Sequence, residues 1–397
     1  MRTLDELTVA RVDQSGPSDA EDFTYVDIGS VDNLSKKIVG PKRVAACAAP
    51  SRAKQKLRAG DVIVSMTRPN LNAVALVPAT LDGAIGSSGF HVLRAQADVL
   101  PEWLYFGVQT RRFIDAMSDV VQGALYPAVR PREIRSFSLP VPSVSAQRNV
   151  VDDIETQFSR LEEALANLQR VKANLRRYVS RVLTDAVAGR LFPTACEWPI
   201  VTVQETGNVL LGRQRAPQYL TGRWPQKYLR VANIKDDRIS FDDVEEMDFD
   251  EGHFRKYRLE FGDILVSEGQ SPELLGQSAI FRGHAEPLCF QKTLHRFRAD
   301  PAVTTPEFAQ IVFRSHVRSG VFRKLGSITT NIGHLTLEKF KVAPFPLPPL
   351  GEQQQIVAVV EHRLSIARGV EAQVDANLKR AQSLRRAVLD KAFAVDA

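Results

Sequence analysis

Two stretches of the chain place apolar residues at steps of three and four. In the first, Val151, Ile154, Phe158, Leu161, Leu165, Leu168, Leu175, Val179, Val182 and Ala186 keep to one stripe, with Lys172 as its polar intruder. That spacing is a heptad seam and predicts a long helix. Pro142, with Ser143 or Ser145 as N-cap, marks its start, and Gly189 sits where a stop belongs. In the second stretch Val357, Val360, Leu364, Ala367, Val374, Leu378, Ala381, Val388 and Ala392 follow the same steps, interrupted by Glu371 and Arg385. A helix of about 40 residues is about 60 Å long, too long to pack inside one small domain. Matching length and period predict that the seams pair. Ile154, Phe158, Leu161, Leu165, Leu168 and Leu175 would then meet Val357, Val360, Leu364, Val374, Leu378 and Val388. The plainer alternative is that each seam is buried against its own domain.

Ahead of each long helix the pattern changes to short β-like runs between Gly, Pro and Asp turns. Val62–Val64 and Ile264–Val266 each follow a Gly-Asp turn, and Val74–Val77 and Ala279–Phe281 read as further strands. Glu102–Met117 and Glu307–Phe322 read as helices introduced by Pro101 and Pro306. Each half is therefore expected to be an α+β domain followed by a helix.

The two halves also share residues. Leu139-Pro140-Val141-Pro142, Gln147 and Val150-Val151 match Phe345-Pro346-Leu347-Pro348, Gln353 and Ile356-Val357 at a shift of 206, which holds without a gap to the chain's end. Upstream, Leu57–Ser65 matches Leu259–Ser267 at a shift of 202, through Gly60-Asp61 and Gly262-Asp263. Collinear anchors with a small drift predict a duplicated unit of about half the chain.

Composition narrows the class. The 397 residues are 44% hydrophobic and 25% charged, which suits a folded chain of two domains and not a disordered or fibrous one. The net charge of +6 permits a polyanionic partner without requiring one. Cys47, Cys196 and Cys289 are scattered, which argues against a disulfide framework or a thiolate zinc site and for a reducing cytoplasm. The start, Met1–Glu6, turns acidic before any apolar run, so neither a signal peptide nor a membrane span is expected.

Catalytic signatures are missing. The sequence has no G-x-G triplet, no phosphate-binding loop, no Pro-Pro-Tyr or Pro-Pro-Phe, no Glu-x-Lys triplet and no G-x-S-x-G. The histidines lack zinc spacing. A binding protein without catalytic residues, metal or cofactor of its own is the better expectation. Polar clusters in predicted loops supply the candidate contacts. In the first half these are Arg68, Asn70, Asn72, Ser88, His91, Tyr126 and Arg130. In the second they are Arg213, Arg215, Gln270, Ser271, Gln291, Lys292, His295, Asn331 and His334. Arg, Gln, Asn and Ser pair with base edges and Lys and Arg hold phosphates, so a double-stranded DNA partner read by both halves is expected. The ordinary alternative for any one cluster is a solvated loop. The charges alternating along the helices, from Asp152 to Arg177, make either a solvated face or a docking surface for partner subunits.

Pro346–Val357, with Pro348-Pro349-Leu350-Gly351-Glu352-Gln353, resembles a conserved stretch of the DNA specificity subunits of type I restriction-modification systems. Leu183–Leu191 resembles the end of that family's central conserved region. Glu197-Trp198-Pro199, Gly212, Leu229–Ile234 and Gly262–Ser267 resemble its target recognition domain. The resemblance implies two α/β target recognition domains separated by two long antiparallel coiled-coil helices, an internal duplication with pseudo-twofold symmetry. The domains would be 1–142 and 193–345, and the helical spacers 143–192 and 346–397. Each domain would read half of a bipartite, asymmetric site. The helices would fix the gap and dock two copies of the modification subunit, a methyltransferase using S-adenosylmethionine. A restriction subunit with ATP- and Mg-dependent translocation and nuclease activity would join that complex. A specificity subunit of a fused restriction-methylation enzyme and a coiled-coil scaffold that binds no DNA are the alternatives.

Two departures from the family pattern stand out. The first copy has Ser143–Gln147 where the second has Pro349–Gln353, losing the proline pair and the Glu, which bears on the symmetry of partner docking. The Trp198-Pro199 run has no counterpart near Met1, so either the first domain lacks an initial strand or its start lies upstream.

Overall fold

The computed structural model describes residues 1–17, 22–121, 127–191, 197–329 and 331–394. Strands and helices are mixed through it, and the contacts divide the chain into two compact units, Met1–Gln169 with Asp375–Ala397, and Arg170–Val374. Helices Val144–Val187 and Leu350–Ala392 each contribute to both units. No helix among the described residues is long and apolar enough to cross a membrane.

In the first unit, strand Val62–Ser65 lies between Phe90–Leu93 and Val74–Leu76, antiparallel to both. A second sheet orders Lys42–Val44, Phe23–Val26, Ile85–Ser87 and Ala53–Lys56, with its central pair parallel. The Gly60 turn, at φ +84°, delivers Asp61 into the interior. There its carboxylate takes both Nε and Nη2 of Arg94 at 2.7 Å and the Arg58 amide at 2.8 Å. The core joins Val62, Val64, Leu93, Trp103, Phe106 and Phe113 to Val151, Ile154 and Phe158 of the first long helix, Leu389 of the second and Phe393 just past its end.

The second unit has the same plan. Ile264–Ser267 lies between Leu294–Ala299 and Ser278–Ile280, extended by Gly207–Leu211 at the edge. Pro225–Leu229 is flanked by Glu245–Asp248, antiparallel, and Cys289–Phe290, parallel. Gly262, at φ +92°, precedes Asp263, which takes Arg298 in the same two-pronged way at 2.7 and 2.8 Å. Phe313 meets the rings of Phe297 and Phe340 edge-on at 5.1 and 5.2 Å. Val182, Leu183 and Ala186 and, from the other long helix, Ile356, Val360 and Leu364 close this core.

Several expectations change in detail. The first unit does have an initial strand: Arg2–Thr3 pairs with Ser138–Leu139, as Ile200–Thr202 pairs with Pro344–Pro346. The helix expected over Glu102–Met117 is two helices, Pro101–Gly107 and Arg111–Asp119, because Thr110 caps the second through the Phe113 amide. Its counterpart ends at Ser319, where Gly320 turns left-handed at φ +76°. Along the long helices Ile154, Phe158, Val360, Leu364 and Val374 are buried. Leu161, Leu165, Leu168, Leu175, Val357, Leu378 and Val388 are half-buried. Arg385, an interruption by sequence, is accommodated: its guanidinium lies 4.2 Å from the Phe158 ring centre and 3.7 Å from Glu162.

The repeated glutamines anchor each long helix. Gln147 is fully buried; it accepts from the Leu100 amide (3.0 Å) and donates to the carbonyls of Asp98 (3.2 Å) and Pro142 (2.9 Å). Gln353, equally buried, accepts from the Thr305 amide (3.1 Å) and the Thr304 hydroxyl (3.0 Å). It donates to the carbonyls of Val303 (3.0 Å) and Pro348 (2.9 Å).

His316 gives the second unit an acid-sensitive point. Burial pushes its imidazole down to about 4, partly opposed by its hydrogen bond to the Pro344 carbonyl at 2.6 Å. Because the folded value lies below the unfolded one, the unfolded chain takes up the proton first. The stabilisation from the neutral imidazole is full above about pH 6.5 and is lost as the pH falls towards 4. At pH 5 the loss is about 2 kcal/mol. Urea melts of wild type and His316→Gln between pH 7 and 5 check this: the wild type should lose more stability, and equal losses would remove His316 as the cause.

Candidate nucleic-acid interface

In the second unit a run of backbone hydrogen bonds gathers the predicted loops at one set of strand ends. The Lys292 amide donates to the Arg213 carbonyl (2.8 Å), and the Gln291 amide to that of Leu229 (2.9 Å). The Thr293 hydroxyl donates to the Gln291 side chain (2.8 Å), and the Thr293 carbonyl accepts from the Glu268 amide (2.9 Å). Beyond Glu268, Gly269 and Gln270 pair with His334 and Gly333. The tight Gln291–Thr293 turn thus holds the segments of Arg213, Gln270 and His334 beside one another. Arg215, Lys292 and Asn331 are exposed there, and Gln270, Ser271, Gln291 and His334 are half-buried.

Two predicted contacts in this unit point inward. His295 is fully buried, donates from Nε2 to the Leu335 carbonyl (2.6 Å) and stacks on Phe340 at 5.4 Å. Burial lowers its pKa, so it serves the core as a neutral imidazole. Arg213, 6% exposed, lies 4.0 Å from the Tyr219 ring centre and donates to the Asp248 carbonyl (2.5 Å). Residue type suggested contacts for both, and burial makes them supports instead.

The first unit gathers its loops in the corresponding way. Thr67 bridges Ala128, the Arg68 amide donates to the Pro127 carbonyl (2.9 Å), and Met66 is bonded to both Gly89 (3.0 Å) and Val129 (2.8 Å). The Ser88 amide donates to the Arg52 carbonyl (2.8 Å). Arg68, Asn70, Ser88 and Arg130 are exposed at this end. Arg68 and Asn72 are both left-handed, at φ +49° and +47°, and bracket the Pro69–Leu71 turn. Strain of this kind persists where surrounding structure enforces it, and it is concentrated at functional sites. Asn72 is the third inward correction: 6% exposed, it donates to the Val108 carbonyl (2.9 Å) and accepts Lys36 at its own. His91 is half-buried; burial and, secondarily, Arg135 push it down to about 4, so it is uncharged at neutral pH. Tyr126 lies outside the described residues.

The two faces mix donors and acceptors. Arg68 and Arg130 in one unit and Arg215 and Lys292 in the other supply positive charge, while Glu245 lies 3.7 Å from Arg215 and Glu268 lies 3.3 Å from His334. A face of this kind suits base edges as well as phosphates; a surface for phosphates alone would need only cations. Among the described residues no group of three or more His, Cys, Asp or Glu could hold a metal. Sequence reasoning passed over Thr293 and Arg52, whose significance lies in backbone partners distant along the chain.

Residues 202–375 match the family model described as the type I restriction modification DNA specificity domain. The chain is similar to the type I restriction enzyme StySPI specificity subunit of Salmonella potsdam, 26% identical over 315 residues, covering 76% of this chain and 66% of that protein. The match therefore spans about two thirds of that relative's length. The fold is also similar to a chain in a structure concerned with complex assembly and conformational transition of the type I R-M system. The TM-score there is 0.83 at 24% identity, covering 100% of this chain and 97% of the other. The HsdS subunit from Thermoanaerobacter tengcongensis aligns with a TM-score of 0.59 at 24% identity, covering 100% and 96%.

Proposed function

We infer that this chain belongs to the DNA specificity subunits of type I restriction-modification systems and supplies sequence recognition to such a complex. The observation that carries this is the gathering of polar loops at corresponding strand ends of both units, in a chain whose second unit matches the specificity-domain family. Each unit reads one half of a bipartite target, the first through Arg68, Asn70, Ser88 and Arg130, the second through Arg215, Gln270, Gln291, Lys292 and Asn331. The matching strand orders and the repeated Gln147 and Gln353 anchors support an internal duplication. Because the copies have diverged, the halves differ and the target is asymmetric.

The chain itself is non-catalytic and holds no cofactor. Methyl transfer from S-adenosylmethionine belongs to two modification subunits, and ATP- and Mg-dependent restriction to a further subunit. The long helices run antiparallel, fix the gap between the half-sites and dock the modification subunits. Support for the antiparallel pairing comes from each unit separately. Phe158 meets Arg385 in the first, and Val182 shares a core with Val360 and Leu364 in the second.

Methylation mapping tests the reading. Co-expression with the partner modification subunit in a methylation-free host should give modified adenines in one gapped motif, absent when this chain is omitted. A stable complex with no motif would sink DNA reading and leave a scaffold. Inserting one helical turn near Leu168, with a compensating turn in the other helix, is expected to change the gap and leave the half-sites unaltered. An unchanged gap in a methylating complex would remove the helices as the ruler.

A further inference from the structure

From Arg213 the second unit's chain runs outward through residues 214–224 before entering strand Pro225–Leu229. Two buried groups fix the shape of that excursion. Asp248, 4% exposed, accepts from the amides of Thr221 (2.7 Å), Gly222 (3.2 Å) and Trp224 (2.9 Å) and from the Thr221 hydroxyl (2.6 Å). These bonds hold its carboxyl below the usual range, the Thr221 hydroxyl contributing most. Arg213, laid on Tyr219 and Phe249, secures Asp248 from behind through its carbonyl. Gly222 makes the turn at φ +75°.

The loop so held buries nothing of its own: Leu220, Thr221, Gly222, Arg223 and Trp224 are all exposed. At its tip the Arg223 guanidinium lies 4.3 Å from the Trp224 ring centre. Among the described residues that guanidinium has no ion pair or hydrogen bond. A buried acid thus rigidifies a loop that adds nothing to the core, and stacking settles the orientation of an otherwise mobile arginine. Both effects are paid before any partner arrives. The guanidinium carbon lies over the Trp224 ring, and the N–H edge of the group has no other partner among the described residues. That edge matches the paired acceptors O6 and N7 of guanine.

We propose that Thr221–Trp224 is a base-reading finger of the second unit, in which Arg223 donates to guanine O6 and N7 while Trp224 holds its plane. Asp248 and Arg213 are positioning residues. The proposal rests on the DNA-reading function inferred above and adds the residue that reads one position of one half-site.

The test is methylation mapping with the full complex carrying Arg223→Ala, Arg223→Lys or Asp248→Asn. Arg223→Ala should relax one guanine position in the second unit's half-site, with about 10- to 100-fold loss of preference there. The other half should be unchanged. Lysine keeps the charge and loses the fork, so it should relax the same position, and Asp248→Asn should do so more weakly. A wild-type motif left intact by Arg223→Ala, or methylation lowered at all sites with no change of motif, overturns base reading, the latter in favour of a phosphate contact. Full retention of the motif with lysine overturns the stacked-fork geometry assigned to Arg223 and Trp224. A fall in both halves alike with Asp248→Asn overturns its positioning role. A wild type that yields no motif overturns the proposed function, and this inference with it.

Discussion

Exchanging residues 198–341 for the corresponding segment of a relative is expected to replace one half of the methylated sequence and to leave the other half and the gap unchanged. The segment carries every exposed candidate contact of the second unit, from Arg215 to Asn331, and all the strands that gather them. It leaves in place Pro344–Pro346, to which the incoming first strand must pair, and the helix residues Val182, Leu183, Val360 and Leu364 that close the core. Because those acceptor surfaces are apolar and regular, a related segment can dock on them with modest repacking cost, about 1–3 kcal/mol. The readout is the motif of modified adenines. An unchanged motif in a methylating complex would refute the assignment of one half-site to each unit. A motif altered in both halves would refute their independence.

Gln353→Ala and Gln147→Ala are expected to be among the most destabilising single changes, about 2–4 kcal/mol each. Alanine strands an amide and two carbonyls in each case, at Thr305, Val303 and Pro348 or at Leu100, Asp98 and Pro142. Each orphaned buried group costs about 1–3 kcal/mol, well above the net gain of an ordinary hydrogen bond. Glutamate, which supplies no donor for the two carbonyls and brings a buried charge, should be worse than alanine. Urea denaturation of the full chain measures this; losses under about 0.5 kcal/mol would show that water replaces the side chain.

The long helices were legible because a seam writes itself into sequence at fixed spacing, and buried Ile154, Phe158, Val360 and Leu364 follow that spacing. The strands after Gly60 and Gly262 were legible for a similar local reason: a Gly-Asp turn followed by β-branched residues. The site was legible only by region. Arg213, Asn72 and His295 have the chemistry of base contacts, but what a polar side chain does depends on whether the fold offers it an inward partner. Those partners, Asp248, Val108 and Leu335, lie tens of residues away. Arg223 and Trp224 show the converse. An arginine and a tryptophan in a polar loop carry no periodic signal, and only the buried acid at 248 marks the loop as rigid. The first unit's initial strand escaped notice because two residues are too few to show alternation.

The seam of the first unit has an asymmetry with consequences for assembly. Arg385 of one helix covers Phe158 of the other and faces Glu162, so the helices join as unlike halves. Two copies of the first helix would lack this guanidinium, and two copies of the second would lack the Phe158 ring and the Glu162 carboxylate that it meets. With Glu162 partly exposed, that ion pair is worth about 0–1 kcal/mol, enough to bias the pairing without dictating it. The pairing therefore carries a preference as well as adhesion, favouring each helix's meeting with its complement over its own duplicate.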